Sequence, residues 1–285
     1  MLNLIKMYMH KLFTSASTYV LIVILLGFTT LSVFSTGELS KRFEEHPDEY
    51  QAYLQELEEY TDDESVGVGY SPSVLKEDIT VGSIAKDIYK GMFPCMLLTI
   101  FVALFVCSEY SSGFIKNISG QVSNRGKLFL AKLPILFLFN LLLMAVALVT
   151  IIATINPFVG VFKLGSSTEL IKIFCMQYAA SVTLGVFVAA IASMVRSMAI
   201  SVTLGVCIST GLLGTIVTML DTLLHKVFDS LSNEFSLRNY TISGNMNNML
   251  PSATSENINR AFIVLAIFFF GSILLAYFNN KRRDV

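Results

Sequence analysis

The sequence predicts an all-α membrane protein of six transmembrane helices, with an N-terminal interfacial helix and a short cytoplasmic helix between spans two and three. Three observations predict it. Of 285 residues, 54% are apolar and only 14% are charged, with a mean hydropathy of +0.65, whereas a soluble domain carries roughly 25% charged residues. The apolar residues gather into blocks that pass the roughly 18-residue threshold for a membrane helix. The charges are sorted by sign between the connections. No contiguous stretch is left that could hold a large soluble catalytic domain.

The six spans are predicted near 17–34, 91–108, 129–155, 170–195, 199–220 and 261–279. At 1.5 Å per residue each is long enough, or nearly so, to cross about 30 Å of hydrocarbon. Backbone groups in lipid must pair within their own segment, so the blocks read as helices rather than strands.

With that topology, one side carries ten basic residues: Lys6, Lys11, Lys116, Arg125, Lys127, Lys132, Arg196, Lys281, Arg282 and Arg283. Its acids are Glu109 and Asp284 alone. The other side carries ten basic and nineteen acidic residues, so a net charge of -1 hides a strong asymmetry. Lys and Arg near helix ends are retained in the cytoplasm, which places both termini inside a plasma membrane. Residues 1–16 space Leu2, Ile5, Met9 and Phe13 about one helical turn apart among Lys6, His10 and Lys11. That is the pattern of an interfacial amphipathic helix. The first apolar block is longer than a signal-peptide core, and is read as an uncleaved span.

Two segments are expected outside. Residues 35–90 form an acidic extracellular loop, Glu-rich from Glu38 to Glu64 and then broken by Gly67, Gly69 and Pro72. It is read as a solvated loop with a charged helix, or as an acidic vestibule that attracts cationic ligands through its summed field. Residues 221–260 are polar and Asn-rich, and their first part is amphipathic enough for a short helix dipping into the outer leaflet.

Several chemistries are not supported. Cys95, Cys107, Cys175 and Cys207 fall in or at the edge of spans and read as small apolar packing residues. His10, His46 and His225 lack ligand spacing, so no metal site is expected. The interiors of the six predicted spans contain no ionisable residue; Glu109, Lys132, Lys172, Arg196 and Asp221 lie at or near ends. Proton relays and ion pathways usually need such groups, and acid–base catalysis needs paired ones. Gly160 and Gly165 have phosphate-loop spacing, but Ser166 and Ser167 follow where Lys and Ser/Thr are required. The chain is therefore read as non-catalytic, with no catalytic residue, bound cofactor, metal or nucleic-acid partner expected.

Span four places Ser181, Gly185, Ala189 and Ser193 at every fourth position, and span five does the same with Ser201, Gly205 and Ser209. Such small-residue stripes let helix backbones approach closely, at a dimer seam, between moving bundles, or within one chain.

The connection 109–128 carries the most information. It runs Glu109-Tyr110-Ser111-Ser112-Gly113-Phe114-Ile115-Lys116-Asn117-Ile118 and continues to Arg125, Lys127 and Lys132. Gly113 permits a sharp turn. Phe114, Ile115 and Ile118 would give a short helix one apolar face beside Lys116, and such a face needs a partner or the membrane surface.

Here the chain resembles the permease subunits of ABC-2-type transporters, including peptide or bacteriocin export and immunity permeases. Their second span typically ends in Glu-Tyr/Phe-x-x-Gly-Thr-x-Lys. Glu109, Tyr110, Gly113 and Lys116 match, whereas Phe114 replaces the usual Thr and the Pro often found before the Arg is absent. The resemblance implies that Glu109, Tyr110, Gly113, Phe114, Ile115, Lys116, Ile118 and Arg125 form a coupling segment docking on a separate ABC ATPase subunit. ATP and Mg would sit on that partner chain. It further implies a bacterial cell membrane, a second identical or paralogous permease subunit, and residues 221–250 as part of an outer gate. The cargo would be an amphipathic peptide, as in antimicrobial peptide immunity, or a hydrophobic compound. The competing class is a membrane sensor or scaffold that binds a peptide through its acidic outer loop.

Overall fold

The computed structural model describes residues 2–46, 48–49, 52, 79–115, 125–160, 163, 165–227, 236–249 and 253–282. Among these residues there are helices and no strands. Helix α1 is Leu2–Thr14 and α2 is Ala16–Glu45. Then come α3, Val81–Lys90, and α4, Phe93–Ser111. After the 109–128 connection, α5, Gly126–Leu130, leads into α6, Leu133–Val159. Helix α7 is Ser167–Val195, α8 is Met198–Ser209 and α9 is Leu212–Val227. A 3-10 turn at Leu237–Tyr240 and α10, Ile242–Asn248, precede the last helix, α11, Ser255–Arg282.

Among the described residues, five helical segments are long and apolar enough to cross a membrane, and α8 with α9 make a sixth if that bent pair is one span. The helices do not share burial equally. Two thirds of the apolar window of α4 (67%) is inside the bundle, against 28% for α11. Helix α4 is therefore the central post: α7 and α8 pack along it, while α2 lies along α6 and α11 along α7. On α11, Ile263, Ile267, Phe270 and Leu274 recur every three to four residues and are all more than half exposed. An apolar stripe of that extent is untenable in water and suits lipid.

Three of the predicted segments are built differently. The first span does not stop near residue 34, because α2 continues as one helix into the acidic segment as far as Glu45. Residues 81–90, predicted as the end of a solvated loop, form α3, whose Val81, Ile84, Ala85, Asp87, Ile88 and Tyr89 are buried. Thr80 caps it reciprocally with Ser83. The backbone N–H of Val81 donates to the Lys163 carbonyl, just past α6, and the Tyr89 hydroxyl donates to the Met144 carbonyl, halfway along α6. Helix α3 thus descends into the bundle, and α4 carries on from there to Lys132 at the other end. Only Gly91 and Met92 separate the two helices. The interruption has a local cause: Met92 sits in the left-handed region at φ 56°, and Pro94 opens α4 without an N–H to offer the preceding turn.

The fifth predicted span, 199–220, is also interrupted. Helix α8 has twelve residues, or about 18 Å, too short to cross alone, and α9 departs at 64°. The Thr210 N–H, the Ser209 hydroxyl and the Thr210 hydroxyl all donate to the Val206 carbonyl. Side-chain donors that compete for one helical carbonyl weaken the continuation. Gly211, at φ 74°, then takes a conformation that most residues avoid.

Candidate functional site

The end of the bundle that bears both termini is held by a buried carboxylate. Glu109, in the last turn of α4, is 1% exposed. Its Oε2 lies 2.7 Å from the ammonium of Lys132, itself 3% exposed, and its Oε1 lies 3.1 Å from Lys11. The Tyr8 hydroxyl donates to Oε2 at 3.3 Å. One side chain therefore joins α1, α4 and the start of α6. A carboxylate can be this buried because it accepts charge-assisted hydrogen bonds from several sides.

Lys11 spends its remaining donors locally, on the Phe105 carbonyl at 3.1 Å and the Ser108 hydroxyl at 3.0 Å, with its ammonium 4.5 Å from the Phe105 ring centroid. Burial lowers the Lys11 pKa, opposed by the Glu109 charge. The Tyr8 phenol is held far above its ordinary pKa, first by burial and then by Glu109. Helix α1 consequently turns Tyr8, Lys11 and Leu12 to the protein, while Leu2 and Phe13 of the predicted stripe stay exposed.

Tyr110 extends the network. The Lys132 ammonium lies 5.7 Å and the Arg196 guanidinium 5.0 Å from its ring centroid. Its hydroxyl donates to Asn280 of α11 at 3.3 Å. The ends of α1, α4, α6, α7 and α11 thus share one polar cluster.

The predicted coupling residues divide accordingly. Glu109 is interior, so it can position the connection and cannot be touched by a partner. Tyr110, Gly113, Phe114 and Arg125 are half-buried, while Ile115 is buried in its own chain rather than presented outward. Gly113 takes φ 69°, with open space where a Cβ would stand. Lys116 and Ile118 lie outside the described residues.

All seven small residues of the two stripes are buried. A Cβ at Gly185 would come 3.2 Å from Leu98, and one at Gly205 would come 3.1 Å from Thr99, both on α4. Ser181 instead accepts a hydrogen bond from Asn140 of α6 at 2.8 Å. Ala189 and Ser193 continue the α7 stripe, and Ser201 lies 3.5 Å from the Cys107 sulfur. The seam they form is internal to this chain, with α4 clasped between α7 and α8.

A second polar cluster lies where α3 gives way to α4. Tyr89, Pro94, Cys95, Asn140, Gln177 and Ser181 line a cavity of about 10 Å³, the size of one water molecule. The Gln177 amide donates to the Met246 and Met249 carbonyls at 3.2 and 2.8 Å, fastening α10 to α7. Asp87, 4% exposed, enters the bundle on α3. Asp87 escapes a search of the apolar blocks for ionisable groups because it stands between Lys86 and Lys90, in a segment whose charge reads as exterior. The uncharged amides of Asn140 and Gln177 were the available signal, as rare polar residues inside apolar blocks.

No protein-family model matches the chain, and no curated protein matches it.

Proposed function

We propose that this chain is the transmembrane permease subunit of an ATP-driven exporter of the ABC-2 kind. It would work in a bacterial plasma membrane with both termini inside. Two such subunits, identical or paralogous, would flank the path, and ATP and Mg would be held by a separate ATPase chain. The cargo class is an amphipathic peptide or hydrophobic compound, consistent with self-protection against antimicrobial peptides.

The observation that carries the reading is the lock at Glu109. The 109–128 connection leaves α4 one turn beyond a carboxylate that is ion-paired to α1 and α6. Tyr110 adds contact with Arg196 after α7 and Asn280 on α11. A force applied to this connection is therefore delivered to five helix ends together, as a machine driven from one face requires. The interruptions at Met92 and Gly211 supply places where the bundle can bend without breaking packed helices.

The test is co-purification from native membranes with mass identification of companions. An ATPase chain should be recovered, and its ATP hydrolysis should rise when this subunit is added. Movement of cargo by the chain alone, with no nucleotide-hydrolysing companion, would overturn the reading.

A further inference from the structure

The termini-bearing end carries a pocket that the coupling reading does not use. It is lined by Tyr110, Arg125, Lys132, Arg196 and Asn280, among others. Three of its lining residues, Arg125, Lys132 and Arg196, are cations, and Lys132 is ion-paired to Glu109. Arg196 has a further peculiarity: its Nε is buried and has no hydrogen-bond partner. An orphaned guanidinium donor beside a basic pocket is costly unless an acceptor occupies the site.

Arg196 is also held at some conformational expense. It ends α7 in the left-handed region, at φ 56°, a role that glycine performs at lower cost. The reversal seats the guanidinium against the Tyr110 ring at 5.0 Å.

The geometry points to a binding site for the phosphate of an anionic phospholipid, gripped by Arg196 and Arg125. A phosphate oxygen supplies the acceptor that Arg196 Nε lacks, and Arg pairs readily with phosphate. The pocket holds about 20 Å³ of space, enough for one or two oxygens; the rest of the headgroup stays in the interface. The rim identifies the source as a lipid rather than free phosphate. Met198 and Ile200, just after Arg196, and Phe278, just before Asn280, are exposed apolar residues on the helices leaving the pocket. Acyl chains would lie along them. Basic pockets between helix ends on the inner side are where such headgroups bind. This inference needs the membrane assignment and not the transport reading, so either can fail alone.

The experiment uses the full-length chain in detergent. Its thermal midpoint and retained lipids (by native mass spectrometry) are compared with added phosphatidylglycerol, phosphatidylcholine or inorganic phosphate. Phosphatidylglycerol should be retained and raise the midpoint, and phosphatidylcholine should do neither. Arg196→Gly removes the cation while favouring the left-handed turn, so the variant should fold yet bind phosphatidylglycerol about tenfold more weakly; Arg196→Lys should weaken it less. Arg125→Gln should weaken it further in combination with Arg196→Gly. Equal retention of the two lipids, or undiminished phosphatidylglycerol binding by Arg196→Gly, would overturn the site. Full protection by inorganic phosphate, with no added effect of the lipid, would overturn its assignment to a lipid.

Discussion

Glu109 and Lys132 meet at 2.7 Å with 1% and 3% of their side chains exposed, joining the last turn of α4 to the residue that precedes α6. Removing one partner of a buried pair leaves an uncompensated charge, which costs about 3–5 kcal/mol. Glu109→Gln should therefore lower the thermal midpoint in detergent sharply. Lys11→Met should cost less than about 1 kcal/mol, because Lys11 is one-third exposed. Equal effects of the two substitutions would show that Glu109 is not the node.

Gly113 is the turn between the network and the connection that follows it. A Cβ there would meet nothing within 4 Å, so its φ of 69° is what resists substitution. Gly113→Val should strain the backbone by about 1–2 kcal/mol, whereas Gly113→Asn should be tolerated better. With a companion ATPase present, the valine variant should insert normally yet lose most stimulated hydrolysis and transport. Unchanged transport would count against coupling through this segment.

Gln177 is the clasp between α7 and α10. Its two hydrogen bonds, to Met246 and Met249, end on backbone carbonyls. Gln177→Leu leaves those carbonyls buried without this donor, a loss of about 1–3 kcal/mol. Hydrogen exchange should accelerate over 242–248 and stay unchanged in α4. Uniform acceleration across the chain would mean that the clasp is not local.

Two glycines of α2 separate space from propensity. A Cβ at Gly37 would lie 2.5 Å from the Phe158 carbonyl oxygen, whereas one at Gly27 meets nothing within 4 Å. Gly37→Ala should destabilise by about 1–3 kcal/mol through overpacking, and Gly27→Ala should be neutral or stabilising. Thermal unfolding of the two variants decides whether the α2 backbone meets α6 at Phe158 as closely as this distance requires.

The membrane class, the six apolar blocks and the gathering of basic residues at one end were legible in the sequence, because hydropathy and charge are local sums over neighbouring residues. The turn at Gly113 was legible for a similar reason, being marked by a glycine. Folding decided which faces are inside. Val81–Lys90 looks solvated because it carries Lys86, Asp87 and Lys90, yet its Val81, Ile84 and Ile88 are buried once α6 and α7 pack against it. The interruptions at Met92 and Gly211 emerge where backbone conformation and competing donors prevail over apolar continuity. Above all, Lys11 and Lys132 lie 98 and 23 residues from Glu109, on either side of it in the chain. No local pattern pairs them, since an ion pair between distant residues exists only once packing has excluded water from the place where they meet.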